Sequence, residues 1–394
     1  MLNEITIEEL KEAYKKEFNE VPQMFYSAPG RTELSGNHTD HQHGKVLAAA
    51  IDLDNRAAVG LNNSNEMLIK SDGYPLISVS LNDLDAKEDE AQTSTSLVRG
   101  IAYKFKELGY ELKGFNAYIK SNVLSGSGLS SSAAFEVLIT YIINDINNIN
   151  VNPIEVAKIS QFSENVYFKK PCGLMDQMAS SVGNCVYIDF KDNNNPIVEK
   201  IDFDFSKCGY TLCVIDSGAD HADLTYEYAS ITDELKKVCA VFNKRWLREV
   251  DENDFLSNIK EVREKCGDRA VLRAFHVYEE NKRVNKQVEA LKNNNFDEYL
   301  RITKESGRSS WMYLQNVIPC GSSDKQALGY ALGVCEKILG TNGVCRVHGG
   351  GFAGTLQAFV KDNFVEEFKK SVDEILGQGA CHIMHITPFG GRKL

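Results

Sequence analysis

A short run of small residues, GSGLSSSAA from Gly126 to Ala134, constrains this 394-residue chain more than any other segment. It follows a strand-like stretch, Phe115 to Lys120, and it opens a pattern from Ser130 to Asn147 that is apolar on nearly all sides. Such a pattern predicts a buried helix. Small residues let backbone N–H groups converge on a phosphate, and the start of a helix favours an anion. Serine also caps helices that bind no ligand, so a purely structural cap is the alternative.

The other glycine patterns in the sequence do not match either of two common nucleotide-binding motifs. No GxxxxGKS or GxxxxGKT pattern occurs, which excludes a Walker A loop. A second cluster, HGGGFAGT from His348 to Thr355, formally contains GxGxxG, but Leu356 to Val360 read as a strand. A dinucleotide-binding turn requires a helix there. We interpret this cluster as a tight strand connection or as backbone that approaches a ligand.

Reactive side chains are concentrated in two further segments. The turn-rich stretch SAPGRTELSGNHTDHQHG contains five candidates: Arg31, His38, Asp40, His41 and His43. A helical pattern carries Glu164, and the segment PCGLMDQ that follows it carries Asp176, so these two carboxylates are candidates for metal binding and proton transfer. The HTDHQH sequence could instead bind zinc, but it does not match HExxH and would leave the glycine motifs unexplained.

Charge, cysteines and hydropathy exclude several classes of protein. A formal net charge of -11 disfavours a nucleic-acid surface. No apolar run reaches membrane-spanning length, and Met1 to Glu20 form a charged amphipathic pattern rather than a signal peptide. The ten cysteines include no CxxC pair, as expected for reduced thiols. We therefore expect a cytoplasmic protein that binds neither nucleic acid nor membranes and needs no obligate protein partner.

The length of the chain favours two domains that share a cleft. Composition changes at Asp192 to Asn195, where DNNN precedes a proline. A boundary just after this point divides the chain into residues 1–205 and 206–394. Helical and strand-like patterns alternate in both parts, which predicts an α+β fold.

Four segments together resemble galactokinases of the GHMP kinase superfamily. APGRTELSGNHTDHQHG is similar to the galactokinase signature, GSGLSSSAAFEV to the phosphate loop, and VHGGGFAGT to the third motif of the family. SENVYFKKPCGLMDQ resembles the stretch that holds the family's catalytic aspartate. The resemblance implies a two-domain GHMP kinase fold, with an S5-domain-2-like N-terminal domain that contains a left-handed βαβ unit. The C-terminal domain would be ferredoxin-like, and the nucleotide would lie between the two.

The resemblance also implies an enzyme that uses ATP and Mg²⁺ to phosphorylate the anomeric hydroxyl of galactose. By motif position, Asp176 matches the catalytic base, Arg31 the arginine that stabilises charge beside it, and Ser132 and Glu164 the magnesium-binding residues. The positions that match the ATP-binding loop are Gly126, Ser127, Gly128, Leu129, Ser130, Ser131 and Ser132. The positions that match sugar-binding residues are Arg31, Asn37, His38, Asp40, Gly173, Asp176 and Tyr228.

These roles are compatible with the chemistry. A sugar hydroxyl is a poor nucleophile, so a carboxylate that accepts its proton assists phosphoryl transfer. A nearby arginine keeps that carboxylate ionised and offsets charge on the transferring group. The alternative is that Arg31 and Asp176 form only a structural ion pair. A sensor that binds sugar and ATP without turnover is a further possibility. Such a protein should have lost catalytic residues, but the residues that match the family's catalytic positions are all present here.

The first motif departs from the family pattern at positions that matter for the sugar. The family's GRTNLIGEHTDY is GRTELSGNHTDH here, so Glu33, Asn37 and His41 replace asparagine, glutamate and tyrosine. The glutamate contacts the C6 hydroxyl in galactokinases, and Asn37 can still hydrogen-bond that group without a charge. An anionic C6 group would then be tolerated, which makes galacturonate an alternative substrate. Glu33 could instead supply the missing carboxylate.

Overall fold

Two β-sheets carry the strands of the protein, whose computed structural model describes residues 5–124, 128–219 and 224–394. The first sheet contains β1 (Met24–Ser35), β2 (Lys45–Leu61), β3 (Glu66–Ser71), β4 (Leu76–Ser80), β5 (Phe115–Ser121), β6 (Cys185–Asp189), β7 (Ile197–Ile201) and β12 (Arg392–Lys393). The second sheet contains β8 (Tyr210–Asp216), β9 (Gly343–Val347), β10 (Thr355–Lys361) and β11 (Cys381–Met384).

The helices surround these sheets. In the described ranges they are α1 (Ile7–Phe18), α2 (Ser94–Glu107), α3 (Ser131–Ile146), α4 (Pro153–Phe162), α5 (Met175–Val182), α6 (Thr225–Val241), α7 (Glu252–Ser257), α8 (Ile259–Cys266), α9 (Asp268–Lys292), α10 (Phe296–Ser309), α11 (Ala327–Leu339) and α12 (Val365–Leu376). Two π-helical turns, Ser163–Tyr167 and Ser310–Leu314, extend α4 and α10. Turns of this kind often occur at functional sites.

The long strand β2 organises the first sheet. Its neighbours give the order β12-β1-β2-β5-β3-β4, and its N-terminal half also pairs with β6, which pairs with β7. All pairs are antiparallel except β3 with β5, which are joined through β4 and α2. This mixed sheet, with helices against it, confirms the predicted α+β class.

The second sheet is fully antiparallel, in the order β11-β8-β10-β9. Helices α6 to α11 connect β8 to β9, and α12 connects β10 to β11. This is the β-α-β-β-α-β arrangement of a ferredoxin-like unit, elaborated by extra helices in its first connection. The sheet therefore agrees with the predicted C-terminal architecture.

Helix α3 is the central helix of the first half. As its apolar pattern predicts, it is buried on nearly every side, and it packs against β1, β2, α2, α4 and α5. Its first turn is less buried, because Ser131 is half-buried and Ser132 is exposed. The serine-rich turn, residues 128–132, thus leads into a buried helix and leaves Ser132 exposed.

The two halves share apolar packing. One cluster contains Leu34, Leu47 and Leu129 from the first half together with Tyr299 and Phe359 from the second. Between the sheets, β7 ends at Ile201 and β8 begins at Tyr210. We propose a domain boundary in this interval, near residue 205, with the short strand β12 returning to β1.

None of the helices in the described residues combines the length and the apolarity needed to cross a bilayer. All ten cysteines lie in this part of the chain and are free thiols. Six of them are buried: Cys185, Cys213, Cys239, Cys335, Cys345 and Cys381.

Candidate active site

The structure brings Arg31 and Asp176 together. Arg31 lies on β1, and its Nε and Nη2 donate to Asp176 Oδ1 and Oδ2 over 2.7 and 2.8 Å. Asp176 is the second residue of α5, and about a third of its side chain remains exposed. The two residues therefore form a bidentate ion pair with an accessible carboxylate.

The serine-rich turn contacts this pair directly. Ser130 Oγ donates to Asp176 Oδ2 over 2.5 Å, and Arg31 Nη1 donates to the carbonyl oxygen of Gly128. Ser130 has a φ of 56°, in the left-handed region that L-residues rarely adopt. The backbone at the start of α3 is therefore bent so that its serine reaches Asp176.

These contacts keep Asp176 ionised. Burial alone would raise the pKa of its carboxyl, but the charge of Arg31 and hydrogen bonds from Arg31 and Ser130 outweigh burial. The pKa of Asp176 is consequently below its usual range. At neutral pH the group is a carboxylate that can accept a hydrogen bond from a ligand hydroxyl.

A cavity of about 230 Å³ opens beside the pair. Its lining combines the first motif, the segment before α5 and the third motif. The lining residues are Arg31, Glu33, Gly36, His38, Asp40, His41, Val46, Cys172, Gly173, Met175, Asp176, Gly349 and Gly350. Five of the predicted sugar-binding residues, Arg31, His38, Asp40, Gly173 and Asp176, are thus gathered around one small polar cavity.

The loop after β1 fixes the orientation of several of these groups. His38 has a φ of 58°, and its Nε2 lies 2.9 Å from the Gly350 carbonyl oxygen. Burial lowers the pKa of His38 to about 4, so its ring is neutral at pH 7. Across the cavity, a Cβ on Gly173 would lie only 3.0 Å from Asp40 Oδ2, so this position suits a residue without a side chain.

Asn37 does not line the cavity. Its side chain is fully buried, and its Oδ1 accepts from Asn316 Nδ2 over 2.8 Å. Its Nδ2 donates to the Gly349 carbonyl oxygen and to Glu33 Oε1. In this structure the Asn37 amide is occupied by protein groups, and Glu33 lies at the cavity wall instead.

Tyr228 also acts on the third motif. Its hydroxyl donates to the Gly351 carbonyl oxygen over 2.7 Å, and a Cβ on Gly350 would lie 2.6 Å from Tyr228 Cε1. Tyr228 therefore packs against the glycine-rich connection whose other face meets the cavity. The proposed contact of Tyr228 with sugar remains a prediction.

The third motif contacts the first through His348. The Glu33 backbone N–H donates to His348 Nε2, which must therefore accept, so the ring proton is on Nδ1 and faces Thr355 Oγ1 at 2.9 Å. Burial first, then the charges of Arg31 and Arg346, lowers the pKa of His348 to about 3. A neutral histidine thus joins β1 to the β9–β10 connection beside Gly128.

Glu164 and Ser132 lie in different environments. Glu164 belongs to the π-helical turn and is buried, and its Oε2 accepts from Gln177 Nε2 over 2.7 Å. Its Oε1 accepts from Lys170 Nζ over 3.1 Å, and the Lys170 side chain is 59% exposed. Ser132 is exposed in the first turn of α3. Gly126 and Ser127 of the predicted phosphate loop lie outside the described residues.

The histidines of the first motif point in different directions. His38 contacts the third motif, His41 Nε2 lies 3.6 Å from Asp40 Oδ1, and His43 stacks on Trp246 with ring centroids 4.4 Å apart. Among the described residues, no group of three or more metal-binding side chains has the geometry to hold an ion. The arrangement does not favour the zinc alternative.

Several side chains that hydrogen-bond to the first motif were not predicted from the motifs. Arg346 on β9 binds Glu33 Oε1 through Nη2, while Glu280 on α9 accepts from Ser35 and from the backbone of Gly36. His276 Nε2 hydrogen-bonds the Asn37 carbonyl oxygen over 2.9 Å. These partners lie more than 200 residues from the first motif, so no local spacing could have identified them. The sequence signal that could have identified one of them is the arginine within the strand-like run VCRV, at position 346.

Family models match two parts of the chain. Residues 12–61 match the galactokinase galactose-binding signature, and residues 96–184 match the N-terminal domain of GHMP kinases. The first match covers β1 and the cavity loop, which is the connection from residue 36 to residue 44. The second match covers the serine-rich turn, Glu164 and Asp176.

Curated relatives match over nearly the whole length. The chain is 32% identical to the galactokinase of Thermosipho africanus over 360 residues, which is 89% of this chain and 93% of the relative. It is 28% identical to the galactokinase of Streptomyces coelicolor over 97% of both chains, and 29% identical to that of Bacillus subtilis over 93% of both.

Solved structures share the fold. A crystal structure of Lactococcus lactis galactokinase complexed with galactose superposes with a TM-score of 0.83 at 23% identity, covering 98% of this chain and all of the other. A mevalonate kinase superposes with a TM-score of 0.66 at 15% identity, covering 93% of this chain and all of the other. The GHMP kinase fold predicted from the motifs is thereby confirmed.

Proposed function

Since the chain belongs to the galactokinase family of GHMP kinases, we propose that it transfers the γ-phosphoryl group of ATP to the anomeric hydroxyl of galactose. It is a sugar kinase, a phosphotransferase with an alcohol acceptor. The observation that carries the proposal is the bidentate Arg31–Asp176 pair, which lies between a sugar-sized polar cavity and the serine-rich turn.

Asp176 acts as the base in this scheme. Its carboxylate accepts a hydrogen bond from the anomeric hydroxyl and takes its proton as the hydroxyl oxygen bonds to the γ-phosphorus and the bond to the ADP oxygen breaks. A low pKa makes Asp176 a weak base before transfer begins. In a loose transition state the hydroxyl proton becomes acidic late, so a correctly oriented carboxylate is sufficient.

Arg31 serves two groups at once. Its Nε and Nη2 hold Asp176, and its Nη1 holds the backbone of Gly128 in the serine-rich turn. A guanidinium in this position offsets negative charge on the transferring phosphoryl group. It also fixes the distance between Asp176 and the serine-rich turn. The residues from Gly128 to Ser132, with Gly126 and Ser127, would bind the phosphates through backbone N–H groups at the start of α3.

The donor atoms fit a magnesium ion bound together with ATP. Ser132 offers a hydroxyl and Glu164 a carboxylate, and Mg²⁺ prefers oxygen ligands from one or two side chains plus substrate phosphates. Glu164 Oε1 accepts a hydrogen bond from Lys170, whose side chain is mostly exposed. Binding of the ion by this oxygen requires Lys170 to turn toward solvent. When bound, the ion neutralises charge on the β- and γ-phosphates.

The cavity favours a neutral sugar. Three acidic side chains, Glu33, Asp40 and Asp176, line it. Its described basic side chains are Arg31, His41 and His38, of which His38 is neutral. A uronate would bring a fourth carboxylate into this space. Galactose is therefore the preferred substrate, and galacturonate is the alternative that the sequence raises.

Initial rates with ATP and galactose, galacturonate or talose test the proposal. We expect ADP formation with galactose to exceed that with either other sugar. Faster turnover of galacturonate would reject galactose as the substrate. Sugar binding without ADP formation from any of the three would instead indicate a sensor.

A further inference from the structure

Glu33 is the residue at the cavity wall that departs most from the family pattern. It lies two residues after Arg31 on β1, in a stretch where Arg31, Thr32 and Glu33 pair regularly with Ala50, Ala49 and Ala48. Side chains two residues apart on a strand share a face. Arg31 and Glu33 accordingly both line the cavity.

One oxygen of the Glu33 carboxylate is held and the other is free. Oε1 accepts from Arg346 Nη2 and from Asn37 Nδ2. Within the described residues, Oε2 has no hydrogen-bond partner and is not among the completely enclosed polar atoms. A carboxylate oxygen without a partner in the wall of a polar cavity is suited to accept a ligand hydroxyl.

The held oxygen is fixed by a buried ionic network. Arg346 is fully buried, and its Nη1 donates to Ser306 Oγ over 2.8 Å and lies 3.7 Å from Glu280 Oε1. Glu280 in turn accepts from Arg283 Nε over 2.6 Å. Burial raises the pKa of Glu33, while the charge of Arg346 and the hydrogen bond from Asn37 favour its ionised form. The network of two arginines and two glutamates leaves Glu33 few alternative orientations.

We propose that Glu33, with its free Oε2, recognises a hydroxyl at the end of the sugar away from the reacting carbon, and that it determines specificity at that end. The inference rests on the proposed galactose kinase activity. Glu33 lies two residues along β1 from Arg31, which holds Asp176, and this spacing is about 7 Å, comparable with the width of a pyranose ring. With the anomeric hydroxyl at Asp176, Glu33 meets the C4 to C6 side.

The same position of Glu33 would disfavour a uronate. A C6 carboxylate would face Glu33 in a cavity that already holds two other carboxylates. Like charges at short range repel, so the anionic sugar is disfavoured while a hydroxyl is bound. The carboxylate that the family places at position 37 is in effect supplied by Glu33, and Asn37 helps to hold it.

A cycle of enzyme and substrate changes tests the proposal. The kcat/KM values of the full-length wild type and of Glu33→Gln are measured with galactose, 4-deoxygalactose, 6-deoxygalactose and galacturonate. We expect Glu33→Gln to lower kcat/KM for galactose about tenfold or more, mainly through KM, because a charge-assisted hydrogen bond is lost. For the deoxy sugar that lacks the recognised hydroxyl the same change costs less than about threefold. The galacturonate-to-galactose ratio rises.

Two further variants make the outcome decisive. Glu234→Gln is the matched control, since Glu234 also pairs with a fully buried arginine, Arg273, over 2.8 Å but lies outside the cavity. It leaves the ratios between sugars unchanged. If Glu33→Gln does not fold, Glu33→Asp keeps the charge beside Arg346 and withdraws the oxygen, and we expect the same selective loss.

The failures are distinguishable. Equal losses for galactose and both deoxy sugars in the Glu33 variants, with an active wild type, would overturn the role of Glu33 alone. A wild type that neither binds nor phosphorylates galactose would overturn the proposed function, and the role of Glu33 with it.

Discussion

At the scale of single residues, the site depends on holding Asp176 ionised and oriented. Arg31 occupies both carboxylate oxygens, and Ser130 adds a hydrogen bond to one of them. The same contacts lower the basicity of the group, so we propose that Asp176 contributes to catalysis mainly through its orientation rather than its base strength. Removing the negative charge while keeping the shape is the corresponding test.

Asp176→Asn should lower kcat by about 10²- to 10⁴-fold, the range typical of general-base catalysis. The amide cannot accept the hydroxyl proton, and it weakens the contact with Arg31. Thermal unfolding and the binding of a non-hydrolysable ATP analogue should change little. Asp145→Asn is a suitable control, because Asp145 pairs with Tyr26 and Lys393 far from the cavity. Full activity of a folded Asp176→Asn protein would rule out the assigned base.

Buried neutral histidines predict a loss of stability in mild acid. Burial lowers the pKa of His38 and His276 to about 4 and that of His348 to about 3. Between these values and the unfolded value near 6.5, the unfolded chain binds more protons, so the free energy of unfolding falls as pH falls through this interval. Each histidine contributes a slope of up to about 1.4 kcal/mol per pH unit.

His276→Gln tests this dependence, since a glutamine can still donate to the Asn37 carbonyl oxygen that His276 Nε2 contacts. Urea unfolding between pH 4.5 and 6.5 should show a smaller slope for the variant than for the wild type. His385 is the comparison, because its contact with Asp52 raises its pKa, so its removal leaves the slope below pH 6 unchanged. Parallel curves for wild type and His276→Gln would contradict the prediction.

At the scale of elements, the connection between β9 and β10 accepts hydrogen bonds from several parts of the chain. Its carbonyl oxygens at Gly349, Gly350 and Gly351 accept from Asn37, from Asn316 and from Tyr228 respectively. A Cβ on Gly350 would lie 2.6 Å from Tyr228 Cε1, whereas Gly349 has open space around it but a φ of 68° that favours glycine. This segment therefore links the cavity loop to the helices of the second half.

Gly351→Ala should disturb the connection strongly. Gly351 has a φ of 80°, and a Cβ there would lie 2.1 Å from the Asn316 carbonyl oxygen. We expect a loss of stability of about 1–3 kcal/mol and a higher KM for galactose, because the backbone at the cavity must shift. Gly209→Ala has a similar φ of 78° but open space around the new methyl group, so it isolates the cost of backbone strain. Equal stability and KM in the two variants would show that the close contact is unimportant.

At the scale of the whole molecule, the last strand returns to pair with the first. Strand β12 pairs with β1 through Lys393 with Tyr26 and Arg392 with Ser27, and Lys393 Nζ donates to Asp145 Oδ2 over 2.8 Å. The preceding glycines, Gly390 and Gly391, fit against Ser181 and Tyr141 so closely that a Cβ would collide. The C-terminal tail therefore reinforces the sheet that carries Arg31.

Deletion of residues 389–394 should lower the Tm, by about 1 °C for each kcal/mol that the tail contributes to a chain of this length. The deletion exposes the edge of β1 and removes the ion pair with Asp145. Lys393→Ala removes the ion pair and the contact of Lys393 Nζ with the Tyr26 ring but keeps the strand pairing. It should have a smaller effect, since an exposed ion pair contributes about 1 kcal/mol or less. An unchanged Tm after the deletion would show that β12 does not stabilise the sheet.

Features encoded by local sequence could be predicted, and long-range partners could not. The small residues before α3 and its apolar pattern identify the serine-rich turn, because both are set within about twenty residues. The pairing of Glu33 with Arg346 joins residues 313 positions apart. The sequence raised the idea that Glu33 replaces a missing carboxylate, but only the fold reveals which of its oxygens is free and that Asn37 is buried behind it.

Phosphoryl transfer to the anomeric hydroxyl of galactose is tested most directly by identifying the product formed from ATP and galactose. A phosphorus–proton correlation NMR spectrum of the reaction mixture identifies the carbon that carries the new phosphate. We predict a single sugar phosphate whose phosphorus couples to the anomeric proton, formed in equal amount to ADP. Coupling to the C6 protons, or ADP without any sugar phosphate, would contradict the assignment of Asp176 and Arg31 to transfer at the anomeric hydroxyl.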